Sequence, residues 1–234
     1  DLLSRQERTI LQIASVASRT FRRSMLLAIL DGYSDEDIDA ALNGLVTRDM
    51  LVLLEGETYN FRHILFRDVA YGTLSRSERI RLHSKIARWM EVGAGEHLNE
   101  YIELIAYHYR EALQLARQSA IPQALPFKQE EVAHIFERAG LLAGRSGSFG
   151  EANRNFLFAI ELSSPGEQIR LQEERGDSVA WDGNIPYEAY NKALELWRAS
   201  SEGDPALGAR LIRKFLSAAT RLTMSSLQPP ETAA

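Results

Sequence analysis

The sequence predicts a mostly α-helical protein, with a winged helix-turn-helix domain that contains one β-hairpin and a following series of antiparallel helical pairs. Two capping-box patterns, Ser4 with Glu7 and Ser75 with Glu78, mark helix starts because each pair satisfies free backbone N–H groups. Apolar residues recur at spacings of three and four over most of the chain, which is typical of amphipathic helices. Residues 50–61 differ, since two short apolar runs flank a Glu-Gly-Glu turn and indicate a hairpin.

The first predicted domain, residues 1–92, has three helices ahead of this hairpin and further helices after it. The first helix follows the first capping box, and the second covers residues 22–30. Ser34 caps the third helix, whose first turn holds three acidic residues where the helix dipole favours negative charge. Strands at 50–54 and 58–61 complete the winged helix-turn-helix.

The second predicted domain, residues 93–234, consists of helical pairs and is truncated at the C-terminus. Its first helix carries a wide apolar stripe that must pack on neighbouring helices. The stripe consists of Tyr101, Leu104, Ile105, His108, Tyr109, Ala112 and Leu113. A loop with two prolines is predicted at 119–127.

A repeat signature lies in the next two predicted helices. It consists of Phe136, Ala139, Gly140, Ala143, Gly147, Phe149, Ala152, Phe156, Ala159 and, just past the end, Pro165. This pattern resembles a tetratricopeptide (TPR) unit. Gly140, Ala152 and Ala159 allow two antiparallel helices to approach closely, and Phe136 and Phe156 fill the gaps between them.

A second, weaker copy of this signature follows thirty-six residues on, with Gly176 in place of Gly140 and Gly183 in place of Gly147. Pro186 falls where the second helix of this copy should begin, so we expect that helix to be shortened or shifted. The core of this copy is expected from Trp181, Tyr187, Tyr190, Leu194 and Trp197.

The last predicted helix, 205–224, looks like the first half of a further unit. Because every repeat relies on its neighbour for burial, we expect an exposed apolar face at this end and possible self-association through it. The chain begins at Asp1 without a methionine and ends in a polar tail that contains two prolines. We therefore expect a fragment of a longer protein.

Composition limits the class of protein. Of the 234 residues, 25% are charged and 45% are hydrophobic, as in ordinary soluble globular domains. No apolar run approaches the ~18 residues of a membrane span, and the N-terminus has no signal-peptide pattern, so we expect a cytoplasmic protein without membrane contact. The absence of cysteine excludes disulfides and thiolate metal sites.

No motif for catalysis or metal binding is recognised. The sequence has no phosphate-binding Gly-x-x-x-x-Gly-Lys loop, no dinucleotide-binding glycine pattern and no Gly-x-Ser-x-Gly nucleophile elbow. The five histidines never form a His-x-x-x-His pair, so no zinc site on one helix is expected. His83 and His108 lie on apolar helix faces and are expected to be hydrogen-bonded core or boundary residues. We expect no enzymatic activity, catalytic residue, metal or cofactor in this chain itself.

Positive charge is concentrated in residues 62–88, where seven basic side chains face two acidic ones, a local net charge of +5 in a chain of net charge −5. The seven are Arg62, Arg67, Arg76, Arg79, Arg81, Lys85 and Arg88. This stretch is either a solvated helix face, which we favour, or a docking surface for an acidic partner or a phosphate.

The predicted third helix has the opposite charge. Its acidic residues, set against the single basic Arg48, are Asp35, Glu36, Asp37, Asp39 and Asp49. A recognition helix lies beside DNA phosphates and needs positive charge. DNA binding through this helix is therefore disfavoured.

The junction between the hairpin and the next helix carries the most distinctive motif. Residues 61–71 read Phe-Arg-His-Ile-Leu-Phe-Arg-Asp-Val-Ala-Tyr, which resembles the end of the winged-helix module in bacterial signalling ATPases of the STAND class. Such proteins place this module between an ATPase module and helical repeats, with adenylate cyclase, protein kinase or LuxR-type effectors. The resemblance implies a regulatory, non-enzymatic segment that couples the nucleotide state of the ATPase to a protein partner bound by the repeats.

His63 lies within this motif. By its own chemistry, the imidazole could simply bond to a backbone carbonyl. In STAND ATPases, a winged-helix histidine contacts the β-phosphate of ADP bound to the neighbouring ATPase module. The resemblance therefore implies that His63 is a candidate ADP sensor, in the parent protein only. Arg62 and Ile64 depart from the Met-His-Asp pattern of that family. A stand-alone winged-helix DNA-binding transcriptional regulator is the alternative function.

Overall fold

The computed structural model describes residues 3–119, 124–180, 182–200 and 204–226. This part of the chain is mostly helical, as predicted, with three short strands. The chain divides into two compact units, unit 1 at Asp1–Phe127 and unit 2 at Lys128–Ala234. Within the described residues, no helix combines the length and the apolar character that crossing a bilayer requires.

Unit 1 contains α-helices and three short β-strands, and helices come before, between and after the strands along the chain. The helices are α1 (Arg5–Ala17), α2 (Arg23–Ile29), α3 (Asp35–Thr47), α4 (Ile64–Gly72), α5 (Arg76–Ala94) and α6 (Leu98–Arg117), with a 3-10 turn at Gly95–His97. The strands are β1 (Thr20–Arg22), β2 (Leu51–Leu53) and β3 (Thr58–Phe61). Helix α6 packs along α5 and so lies in unit 1, although the sequence analysis grouped it with the repeats.

Serine side chains begin three of these helices, as the sequence predicts. Ser4 and Ser75 form the predicted capping boxes with glutamates three residues on. Ser34 forms a third box with Asp37, in which the serine accepts from the Asp37 N–H and the aspartate accepts from the Ser34 N–H. Ser34 was predicted as a cap, but the box with Asp37 was not, because the usual partner is glutamate or glutamine.

The predicted hairpin is part of a larger sheet. Strands β2 and β3 pair as predicted, with Leu51 opposite Phe61. Strand β1 pairs with the other edge of β3, which gives a three-stranded antiparallel sheet in the order β1-β3-β2. The Phe21 ring of β1 stacks on Tyr59 at a centroid distance of 5.8 Å. The predicted hairpin is therefore confirmed, and β1 is an additional strand that was not predicted, because a strand of three residues is too short to show a periodic pattern.

One hydrophobic core joins α1, α2, α3, the sheet, α4 and α5. Its large and fully buried side chains include Ile10, Leu26, Ile38, Leu42, Leu45, Leu51, Phe61, Leu82 and Ile86. The apolar stripe predicted on α6 is buried from Ile105 to Leu113, but Tyr101 and Leu104 remain 43% and 41% exposed. Residues 120–123 of the predicted proline loop lie outside the described part of the chain.

Unit 2 is a succession of helices. They are α7 (Gln129–Arg145), α8 (Phe149–Leu162), α9 (Pro165–Ser178), α10 (Ile185–Ala199) and α11 (Pro205–Ser226). Each helix packs on the next one along the chain. In α11, Leu211 is buried whereas Ile212 and Leu216 are exposed, which agrees with the apolar face expected at this end.

Close helix approach in unit 2 depends on glycine, as the repeat signature predicts. A Cβ atom placed on Gly140 of α7 would lie 2.8 Å from the ring of Phe156 in α8. The second copy repeats this contact, since a Cβ on Gly176 of α9 would lie 2.5 Å from the ring of Tyr190 in α10. A larger residue at either position would collide with an aromatic ring.

The second copy keeps the turn of the first without the predicted shortening. Gly183 has a φ of +55° and Gly147 a φ of +79°, the left-handed conformation that favours glycine. Helix α10 begins two residues after Gly183 and has 15 residues, against 14 for α8. The expectation that Pro186 shortens α10 is wrong, because Pro186 lies in the first turn, where its missing N–H removes no helical hydrogen bond. The contact with the preceding helix is shifted by about two residues, since Tyr190 lies seven residues after Gly183, whereas Phe156 lies nine residues after Gly147. Trp181 lies outside the described residues.

Candidate functional site

His63 is the N-cap residue of α4, directly after β3. Its backbone is extended, with φ −129° and ψ 139°, and its carbonyl accepts a hydrogen bond from the Phe66 N–H at 3.1 Å. The imidazole is exposed, and its centroid lies 5.8 Å from that of the Phe66 ring. Among the described residues the imidazole has no hydrogen bond, so the carbonyl partner considered from the sequence is not found there. The ring is accessible to a ligand or a partner.

An exposed apolar surface continues along α4 from its N-terminus. It consists of Ile64, Leu65 and Val69, and we call it the α4 outer face. Leu65 and Val69 are 69% and 67% exposed, and their four-residue spacing puts them on one side of the helix. The opposite side, with Phe66 and Ala70, packs into the core of unit 1. Adjacent exposed aliphatic side chains of this size are typical of a surface that a partner covers.

Six of the seven predicted interaction residues contact other parts of unit 1. Arg62 pairs with Asp49, Arg67 with the Ser15 carbonyl, Arg76 with the Gln118 carbonyl, Arg79 with the Tyr71 ring, Lys85 with Asp31, and Arg88 with Glu91. Arg81 is exposed and has no such partner among the described residues. The positive charge counted along the sequence is therefore partly compensated in space by carboxylates from outside the counted stretch. These contacts do not leave the seven side chains as one free docking surface.

Two acidic residues of α3, Asp35 and Asp39, are paired with one arginine. Arg23, at the start of α2, donates to Asp39 at 2.6 Å and to Asp35 at 3.2 Å. The hydrogen bond from Arg23 lowers the pKa of the Asp39 carboxyl, and the same bond raises the pKa of the guanidinium. Arg48, the C-cap of α3, pairs with the buried carboxylate of Glu7 at 2.9 Å. Arg48, the single basic residue of the predicted third helix, therefore already forms an ion pair within unit 1.

A buried histidine pair joins α5 and α6. The Nδ1 atoms of His83 and His108 lie 2.9 Å apart, so one ring donates and the other accepts. His83 Nε2 lies 3.2 Å from the Tyr71 hydroxyl. Burial lowers the pKa of His83 to about 3 and that of His108 to about 4, so both rings are neutral near pH 7. The sequence predicts both as core or boundary residues, but spacing along two separate helices does not show that they touch.

Two proton arrangements satisfy these contacts. In the first, Tyr71 donates to His83, His83 donates through Nδ1, and His108 carries its proton on Nε2. In the second, every donor and acceptor is reversed. The nearby Ala17 carbonyl favours the first arrangement because it attracts a proton on His108, although it is not in hydrogen-bond geometry. In either arrangement, His108 Nε2 is buried and has no hydrogen-bond partner among the described residues.

The described residues hold no cluster of three or more His, Cys, Asp or Glu side chains arranged to bind a metal ion. Comparisons with protein-family models, curated proteins and solved structures found no match.

Proposed function

We propose that this chain is the non-enzymatic regulatory and protein-interaction segment of a STAND-type signalling ATPase. In this proposal, unit 1 is a winged-helix module that relays the nucleotide state of the ATPase, and unit 2 is a TPR-like repeat region that binds a protein partner. ATP and ADP are bound by the parent protein and not by this chain alone, and His63 senses the ADP.

The observation that carries the proposal is the accessible imidazole of His63 next to the α4 outer face. An imidazole without an intramolecular partner can donate a hydrogen bond to a phosphate oxygen. The exposed Leu65 and Val69 offer an apolar surface on which an ATPase module can pack. Both features fall within residues 61–71, the motif that resembles the STAND winged helix.

The order of elements gives further support. Unit 1 runs helix, strand, helix, helix and hairpin between residues 5 and 61, which fits a winged helix-turn-helix. In unit 2, the contacts of Gly140 with Phe156 and of Gly176 with Tyr190 recur in two successive helical pairs, as expected of TPR-like repeats. DNA binding through α3 is less well supported, because its acidic residues outnumber Arg48 and Arg48 is already paired.

The decisive experiment uses the longer protein that this proposal requires. The coding sequence upstream should contain an ATPase module with a phosphate-binding loop. In that protein, His63→Ala should speed ADP release and raise the basal output of the effector, because the mutation removes a donor to the β-phosphate. His97→Ala is the matched control, since His97 is also exposed but lies at the 3-10 turn of unit 1. An upstream sequence without an ATPase module, or unchanged ADP release, would show that the proposal is wrong.

The chain alone provides an independent check. Titration calorimetry should show no ADP or ATP binding at low micromolar concentration, because most nucleotide contacts belong to the ATPase module. A mobility-shift assay at physiological salt should show only weak binding to random duplex DNA. Nanomolar, sequence-selective DNA binding that depends on Arg48 would favour the alternative DNA-binding function.

A further inference from the structure

Unit 1 contains an apolar pocket with a volume of about 290 Å³, which lies outside the His63 motif. The end of α1, strand β1 and helices α2, α5 and α6 all contribute to it. Its apolar walls include Phe21, Met25, Ile86, Trp89, Met90 and Leu104. The volume is close to the lower limit of ~300 Å³ typical of small-molecule sites.

The described residues that line the pocket carry positive charge and no negative charge. Arg22 is the one charged side chain among the described residues that line the pocket, and no acidic side chain is among them. Arg22 is exposed and forms no ion pair with any described residue. A guanidinium group binds a carboxylate through two parallel hydrogen bonds, which makes an anionic head group the matching chemistry.

The wall of the pocket also holds a buried polar group. His108 lines the pocket, and its Nδ1 edge is occupied by His83, which does not line it. The other ring nitrogen of His108 is Nε2. This nitrogen is buried and has no hydrogen-bond partner among the described residues. The carbonyl of Ala17, a residue that also lines the pocket, raises the pKa of His108, so this polar atom is matched within the chain, and the apolar walls and Arg22 decide which ligand fits.

We propose that this pocket binds a small carboxylic acid with an apolar body. The carboxylate pairs with Arg22 at the mouth, and the apolar body packs against Met25, Ile86 and Trp89 and extends toward His108. Such a ligand would contact α2, α5 and α6 at once and would stabilise their arrangement. This pocket is independent of the proposed function, because neither His63 nor unit 2 contributes to it.

Calorimetry with octanoate, and with 1-octanol as its uncharged counterpart, tests the proposal. The wild-type chain should bind octanoate at one saturable site and more tightly than 1-octanol. Arg22→Gln should weaken octanoate binding about tenfold, the order expected when a charge-assisted pair is lost, and should change 1-octanol binding by less than about twofold. Arg19→Gln is the matched control, since Arg19 is an exposed arginine three residues away that does not line the pocket.

A second variant locates the site. Leu104 is 41% exposed at the pocket, so a larger side chain there should be tolerated by the fold. Leu104→Trp should block the pocket and abolish binding of both compounds, with the helical circular-dichroism signal unchanged. In wild type, octanoate should shift the imidazole NMR signals of His108 more than those of the exposed His97.

Four results would each overturn the proposal. They are the absence of saturable octanoate binding, equal affinity for octanoate and 1-octanol, unchanged octanoate affinity in Arg22→Gln, and retained octanoate binding in a folded Leu104→Trp. The first would show that the pocket is not a binding site for this class. The second and third would remove the role of Arg22, and the fourth would place the site elsewhere.

Discussion

Unit 1 and unit 2 are both helical, but different contacts hold their helices together. In unit 1, residues from α1 to α5 and from the sheet share one continuous core. In unit 2, each helix packs mainly on its neighbours along the chain, and one cluster of buried residues between such helices consists of Ala143, Ala152 and Val179. A shared core fixes the position of many side chains at once, whereas a succession of local contacts makes each helical pair depend on its own few residues.

Glycine has two distinct roles in this protein. In unit 1, Gly32 and Gly56 have positive φ values in turns, and a Cβ atom there would meet nothing within 4 Å. In unit 2, Gly140 and Gly176 lie in helices and face aromatic rings at distances that leave no room for a methyl group. Both roles occur in both units, since Gly147 and Gly183 adopt positive φ values in turns of unit 2, and a Cβ on Gly44 in helix α3 of unit 1 would collide with the Glu7 carboxylate.

The largest expected effect tests the local nature of the contacts in unit 2. Phe156 is fully buried against Gly140, so Phe156→Ala should lower the free energy of unfolding of unit 2 by about 3–5 kcal/mol. The neighbouring Leu157 is 44% exposed, so Leu157→Ala should cost less than about 1 kcal/mol. Urea unfolding curves of both variants provide the measurement. Similar losses in the two variants would contradict the assignment of Phe156 as the packing residue.

The next largest effect is a loss of stability at acidic pH, which we expect to be larger in unit 1 than in unit 2. His83 and His108 have folded pKa values of about 3 and 4, below the ~6.5 of an unfolded histidine. The unfolded chain therefore binds more protons below pH 6.5, and stability falls as the pH drops from there toward 4. Between pH 7.5 and 5.0 we expect unit 1 to lose about 2–4 kcal/mol.

Hydrogen exchange measures this loss in each unit separately. After correction for intrinsic rates, amides of α5 and α6 should lose protection at pH 5.0, while those of α8 and α9 should change less. The signals of His83 and His108 should remain those of neutral imidazoles at pH 5.0 in the folded chain. Equal loss of protection in the two units would argue against the buried pair as the cause.

A smaller effect is expected from the glycine contacts. Gly176→Ala places a methyl group against the buried ring of Tyr190, which should cost about 1–2 kcal/mol although alanine favours helix formation. Gly166 lies in the first turn of the same helix, and a Cβ there would meet nothing within 4 Å. Gly166→Ala should therefore leave stability unchanged or slightly raised. Thermal melts that rank the two variants in the opposite order would refute the role of Gly176.

The smallest effect concerns the candidate sensor. His63 is exposed and has no hydrogen bond among the described residues, so His63→Ala should change the stability of this chain by less than about 0.5 kcal/mol. Tyr71→Phe is the comparison, because it removes the hydroxyl that contacts buried His83 and should cost about 0.5–1.5 kcal/mol. A His63→Ala variant that melts several degrees below wild type would make His63 a structural residue.

Local patterns in the sequence were sufficient for most helices. The capping boxes at Ser4 and Ser75 and the glycines at 140 and 147 predict helix starts, a close approach and a turn that the structure contains. Each of these signals acts over a few residues, through a hydrogen bond to the next turn or through the conformation of one residue. The position of His63 at the junction of β3 and α4 was predictable for the same reason.

Contacts between distant segments could not be predicted in this way. Strand β1 is defined only by its pairing with β3, about forty residues later in the chain. The contact of His83 with His108 and the pairing of Arg62, Lys85 and Arg88 with carboxylates depend on where helices cross and on which loops lie beside them. The pocket beside Arg22 also needs five elements to meet. Periodicity shows which face of a helix is buried, but only the tertiary structure decides which other element that face packs against.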